Sequence, residues 1–139
     1  MAGFVPNEGE QVMGELVGKR LLTDRDADLE LGVFTDAAPG ETITLATISE
    51  PTGGSYARIA LPDSECTVTN GVASWPEKTF TAVGSAYSAP VVGYFIATKA
   101  AGGTPRLLAV EIDAAGPHTM NENDTYDVTP QLDFTVEPA

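Results

Sequence analysis

Val91-Val92-Gly93-Tyr94-Phe95-Ile96-Ala97 and, ten residues on, Leu107-Leu108-Ala109-Val110-Glu111-Ile112 decide the fold. In an extended chain the side chains alternate, so Val91, Phe95 and Ala97 take one face and Val92, Tyr94 and Ile96 the other. Both faces are apolar, which places the first run inside a sheet or sandwich and not at its rim. Lys99 to Pro105 separates the runs, and its paired Gly102-Gly103 permits the positive φ of a reversal. The expected element is a β-hairpin with both faces buried. The residues carry no comparable signal for chemistry.

Working outward, the C-terminal stretch alternates Tyr126, Val128, Pro130, Leu132, Phe134 and Val136 with polar or acidic residues. One face is buried and one is wet, and Pro130 removes a donor, so a kink or free edge is expected there. Upstream, Asn70-Gly71 lies between Cys66-Thr67-Val68-Thr69 and Val72-Ala73-Ser74-Trp75, a strong signal for a tight hairpin. Thr79 to Val83 reads as a strand, followed by a loose loop from Gly84 to Pro90. Leu29, Leu31 and Val33 alternate as another strand, ended by Ala38-Pro39-Gly40. Thr42 to Ala46, with Ile43 and Leu45 inward, and Ser55 to Leu61 are the remaining candidates.

About eight short strands with turn chemistry between them predict a mainly β fold, an antiparallel β-sandwich or jelly-roll-like single domain. One short helix precedes it. Asn7-Glu8-Gly9-Glu10 has the form of a capping box, and both glutamates suit the positive end of a helix. Val12, Met13, Leu16 and Val17 follow at helical spacing, so residues 8–18 are expected to form an amphipathic helix stopped at Gly18. The chain thus divides into a segment 1–20 and a β domain 21–139.

Composition narrows the function classes. Twenty Asp and Glu against seven Lys and Arg give a formal net charge of −13. Such a surface repels phosphate backbones, so nucleic acid is not an expected partner. No run approaches a membrane span, and Met1 to Pro6 lacks the basic and apolar regions of a signal peptide. One cysteine and one histidine exclude an intrachain disulfide and multi-cysteine or histidine-rich metal sites. Asp24-Arg25-Asp26-Ala27-Asp28 begins like a calcium loop, but Leu29 stands where glycine is needed and Thr35 where a bidentate glutamate is needed. Cys66 and His118 could form a nucleophile pair, although a strand cysteine is more often a small buried hydrophobe. Trp75, Tyr87 and Tyr94 could form a sugar platform. No catalytic residue, cofactor or metal is assigned.

Several stretches together resemble small β-rich virion proteins of tailed bacteriophages, of the capsid cement, decoration or head-fibre type. They are the segment Phe4 to Glu10, Leu29 to Thr35, Pro39-Gly40-Glu41-Thr42, Tyr56 to Leu61, Val91 to Thr98, and Asn123 to Leu132. The resemblance covers roughly residues 4–136 and carries no catalytic residue. It implies a non-enzymatic virion structural protein, foremost a cement or decoration protein on the capsid exterior, a homo-oligomer whose partner is the major capsid protein. A head-fibre or tail-associated host-facing domain is the alternative within that class, and a carbohydrate-binding module the alternative outside it. Val12, Met13, Leu16 and Val17 are the candidate docking residues. The stripe could instead cover an open end of its own sandwich; full burial of such side chains contributes about 1.5–3 kcal/mol each.

Overall fold

The computed structural model describes residues 3–9, 29–70, 72–98 and 104–133. Among these residues ten strands form three antiparallel sheets: β1 (Gly3–Phe4), β2 (Leu29–Phe34), β3 (Ile59–Leu61), β4 (Thr67–Thr69), β5 (Val72–Ser74), β6 (Lys78–Thr81), β7 (Gly93–Thr98), β8 (Leu107–Ile112), β9 (Thr125–Val128) and β10 (Gln131–Asp133). The largest sheet has the order β1-β8-β7-β2-β3, and the smaller ones are β10-β5-β4 and β6-β9. The fold is mainly β and sandwich-like, with the two small sheets packed against one face of the large one.

β7 is the axis, and all six of its residues are buried. Tyr94 and Ile96 join Leu31 and Val33 of β2 in the main core, with Phe80, Tyr126, Val128 and Leu132 from the small sheets and Trp75 just after β5. Phe95 and Ala97 point the other way, into a smaller core with Phe34, Ile48, Leu107 and Val110. Gly32 lies opposite Phe95, and a Cβ there would sit 2.2 Å from the Phe95 ring. Only glycine lets that ring lie flat on the strand.

The hairpin β7–β8 forms as the sequence predicts, with one irregularity. Ile96 pairs with Ala109 but Ala97 with Leu107, so Leu108 is an inserted bulge residue. The bulge lets Leu107 enter the smaller core and Leu108 the main one. A second departure lies just before β7. Val91 packs into the main core and Val92 against the smaller one, the reverse of simple alternation. Val91 pairs with His118 while the Val92 N–H bonds to Phe34, and this change of partner rotates the chain.

Two expected strands are corrected. Thr42 to Ala46 is a pair of consecutive turns, closed by Ile43 N–H to Gly40 and by Thr47 and Ile48 N–H to Thr44. Thr44 and Thr47 also bond to each other through their hydroxyls, a local alternative that competes with strand pairing. Ile43 and Leu45 still face inward, against the smaller core. In Ser55 to Leu61 only Ile59–Leu61 is a strand, because Gly53, Gly54 and Ser55 all have positive φ, at 76°, 55° and 55°. That run turns the backbone against Tyr87, where a Cβ on Gly54 would lie 2.6 Å from the ring.

The Asn70-Gly71 hairpin closes as expected, with Thr69 opposite Val72 and Asn70 at φ 51°. Pro130 separates β9 from β10, and there the chain leaves one small sheet for the other. Residues 7–9 are helical, and the rest of the expected helix 8–18, including Glu10, lies outside the described residues.

Candidate functional site

Two polar clusters border the main core. In the first, Asp113 directly follows β8 and His118 follows the turn through Gly116-Pro117. Asp113 Oδ2 lies 2.8 Å from His118 Nε2 and accepts the Tyr126 hydroxyl at 2.9 Å. Its other oxygen accepts the Ala115 N–H at 2.9 Å. Tyr94, one cross-strand position away, donates to Glu111. Partial burial pushes the Asp113 carboxyl upward, but the Ala115, His118 and Tyr126 hydrogen bonds outweigh it and hold the acid below its ordinary value. Burial, and then the neighbouring carboxylates, raise both phenols, so Tyr94 and Tyr126 remain protonated donors.

The second cluster finishes the edge of β2. β3 pairs only with Leu29 to Leu31. Beyond its end the Tyr56 hydroxyl accepts the Val33 N–H at 3.1 Å and donates to Glu50 at 2.6 Å. Arg58 grips Glu50 with two bonds, 3.0 Å from Nε and 2.7 Å from the terminal nitrogen, and its guanidinium lies 5.5 Å from the Phe95 ring centre. Burial opposes ionisation of Glu50, yet the bonds from Arg58 and Tyr56 win and lower its pKa. A side-chain hydroxyl therefore replaces a missing strand partner.

Within each cluster the carboxylate is hydrogen-bonded by its neighbouring phenol and base, an arrangement a framework also uses. A histidine–carboxylate pair can move a proton, but hydrolysis by this route also needs an adjacent nucleophile. Cys66, the sequence's candidate, is a free thiol packed on the main core beside β4, and no hydrogen bond joins it to His118 among the described residues. Among those residues, no group of three or more His, Cys, Asp or Glu is placed to hold a metal ion. The acidic stretch Asp24 to Asp28 lies outside them.

The aromatic platform is overturned. Trp75, Tyr87 and Tyr94 are 4%, 7% and 8% exposed and belong to the main core. Trp75 Nε1 is spent on the Pro62 carbonyl at 3.0 Å. The docking candidates Val12, Met13, Leu16 and Val17 lie outside the described residues.

Glu8 takes a role the capping pattern does not foresee. Its Oε2 accepts the N–H of Leu45 at 3.0 Å and of Leu107 at 2.8 Å, partners 37 and 99 residues away. With Gly3 and Phe4 paired to Glu111 and Val110, and Pro6 fully buried, it fastens residues 3–9 along β8. No local signal marks such partners. Asp113 and His118 were more accessible to sequence reasoning, since they flank a Gly-Pro turn five residues apart.

No family model matches the chain, and neither a curated protein nor a solved structure matches it.

Proposed function

We propose that the chain is a non-enzymatic virion structural protein of a tailed phage, acting as a cement or decoration protein on the capsid exterior. The observation that carries this reading is the sequence resemblance across roughly residues 4–136. A net charge of −13 is compatible with it: exposed faces crowded on a particle would repel one another and stay unaggregated. In this role each copy bridges neighbouring capsid subunits. Because it binds the assembled lattice and not the separated subunits, mass action stabilises the shell.

The test is quantitative mass spectrometry of purified virions, together with co-sedimentation of the purified chain with shells that lack it. The expected result is a copy number comparable to that of the major capsid protein and a raised disruption temperature of the shells. A copy number of only a few per particle would move the protein to a fibre or the tail. Absence from virions, with binding to glycans, would replace the reading by the carbohydrate-binding one.

A further inference from the structure

We propose that residues 3–9 are an exchangeable strap: they lie in a standing groove along β8 that reads the pattern Pro-x-Glu-Gly, and the same segment of a second copy of this chain can fill it. The inference concerns the chain alone and does not rest on the virion reading. The strap is seated on residues distant from it in sequence. Gly3 and Phe4 pair with Glu111 and Val110, the Asn7 N–H bonds to the Glu41 carbonyl at 3.0 Å, and Glu8 Oε2 accepts the Leu45 and Leu107 amides. Such contacts are equally open to a segment arriving from another molecule, which is why exchange of an identical element is a low-cost route to dimers.

The walls of the groove are held by bonds that do not involve the strap. One wall is β8, tied on its other side by the ladder to β7. The other is the pair of turns from Gly40 to Ile48, closed by Ile43 N–H to Gly40, by Thr47 and Ile48 N–H to Thr44, and by the Thr44–Thr47 hydroxyl pair. Between them lies the smaller core, on which Phe4 packs. Against these walls the strap sets a two-residue ladder and a single carboxylate. Opening it leaves β8 with an unpaired edge beside an apolar core, and such an edge is a template for another strand.

The groove selects its occupant residue by residue. Pro6 is fully buried, and it brings no N–H that would need a partner there. The Leu45 and Leu107 amides, one from a turn and one from the start of β8, converge on a single oxygen, which calls for a carboxylate. One position on, a Cβ at Gly9 would lie 2.3 Å from the carbonyl oxygen of Leu108, the bulge residue, so only glycine fits. Pro-x-Glu-Gly occurs once in the sequence, at Pro6 to Gly9. The strand that fits the opened edge is therefore this segment, from the same molecule or from a second copy.

The experiment titrates the full chain, labelled with nitrogen-15, with a capped synthetic peptide of residues 3–9. The peptide should shift the Leu45 and Leu107 amides. It should bind the Glu8→Ala chain about fivefold or more tighter than the unaltered chain, because a weakened resident strap leaves more grooves empty. Glu8→Gln, which keeps a neutral acceptor, should give a smaller gain in the same direction. A peptide carrying Gly9→Ala should lose binding although alanine is the better helix former, which separates the close approach to Leu108 from local propensity. In sedimentation velocity the concentrated, unaltered chain should form a dimer that the free peptide prevents. No shift at Leu45 and Leu107 in any of the three chains at millimolar peptide overturns the groove, as does equal binding of the Gly9→Ala peptide. A chain that binds the peptide yet stays monomeric at millimolar concentration overturns the exchange and leaves a strap that closes only on its own molecule.

Discussion

On one face of the five-stranded sheet, Leu31, Val33, Tyr94 and Ile96 meet side chains carried largely by other strands; on the opposite face, Phe34, Phe95, Leu107 and Val110 meet Phe4, Ile43, Leu45 and Ile48, drawn largely from turns and the N-terminal segment. The strand cover is held by backbone ladders and bordered by phenol–carboxylate bonds. Among the described residues the irregular cover has no ladder beyond Gly3 and Phe4, so single contacts substitute, above all the Glu8 carboxylate shared by two amides. Equal hydrophobicity on the two faces of a strand thus does not imply equal covers. A ladder spreads its stabilisation over many bonds, and a clasp concentrates it in one residue.

The largest effect should come from the residue on which the smaller core is built. Phe95→Ala should cost about 3–5 kcal/mol in urea unfolding, the usual range for emptying a fully buried aromatic site. An unchanged midpoint would mean that this face contributes little. Glu8→Ala should cost about 1–3 kcal/mol by leaving the Leu45 and Leu107 amides without their acceptor. Hydrogen exchange should then accelerate at those two amides and leave β2 and β7 protected. Uniform acceleration would show that the two covers open together.

Acid should probe the other cover. The folded pKa of Asp113 lies below its ordinary value of 3.8. Its contribution is therefore complete above that value and is lost as pH falls through the folded pKa. Asp113→Asn should flatten this acid limb of stability and leave the Glu8 clasp's exchange rates unchanged. An unaltered limb would assign the acid sensitivity elsewhere, with Glu50, also lowered, as the next site to replace. The smallest effect belongs to Thr79→Ala, which removes an exposed 2.6 Å bond to Asp127 on the outer face of β6–β9. A change within about 0.5 kcal/mol is expected, and a larger one would reveal that outer face as a support.

Where sequence reasoning succeeded, the determining contacts were close along the chain. The β7–β8 hairpin, the Asn70-Gly71 turn and the alternation of Tyr126, Val128 and Leu132 each follow from a two-residue period or from turn chemistry. Where it failed, a local competitor or a distant partner intervened. The threonine bonds of Thr44 and Thr47 made turns of a stretch with strand composition. Trp75, Tyr87 and Tyr94 look alike on a page whether they line a surface or a core, and burial among residues of other strands decided their place.

The sequence by itself determined the β class, the central hairpin and the acidic surface, because periodicity, glycine placement and charge are properties of neighbouring residues. Only the tertiary structure decided that Glu8 clasps Leu107 and that the Tyr56 hydroxyl completes the β2 edge. Each depends on which distant backbone group lies within hydrogen-bond reach or which side chain lies within contact. Those distances exist only once the sheets have closed.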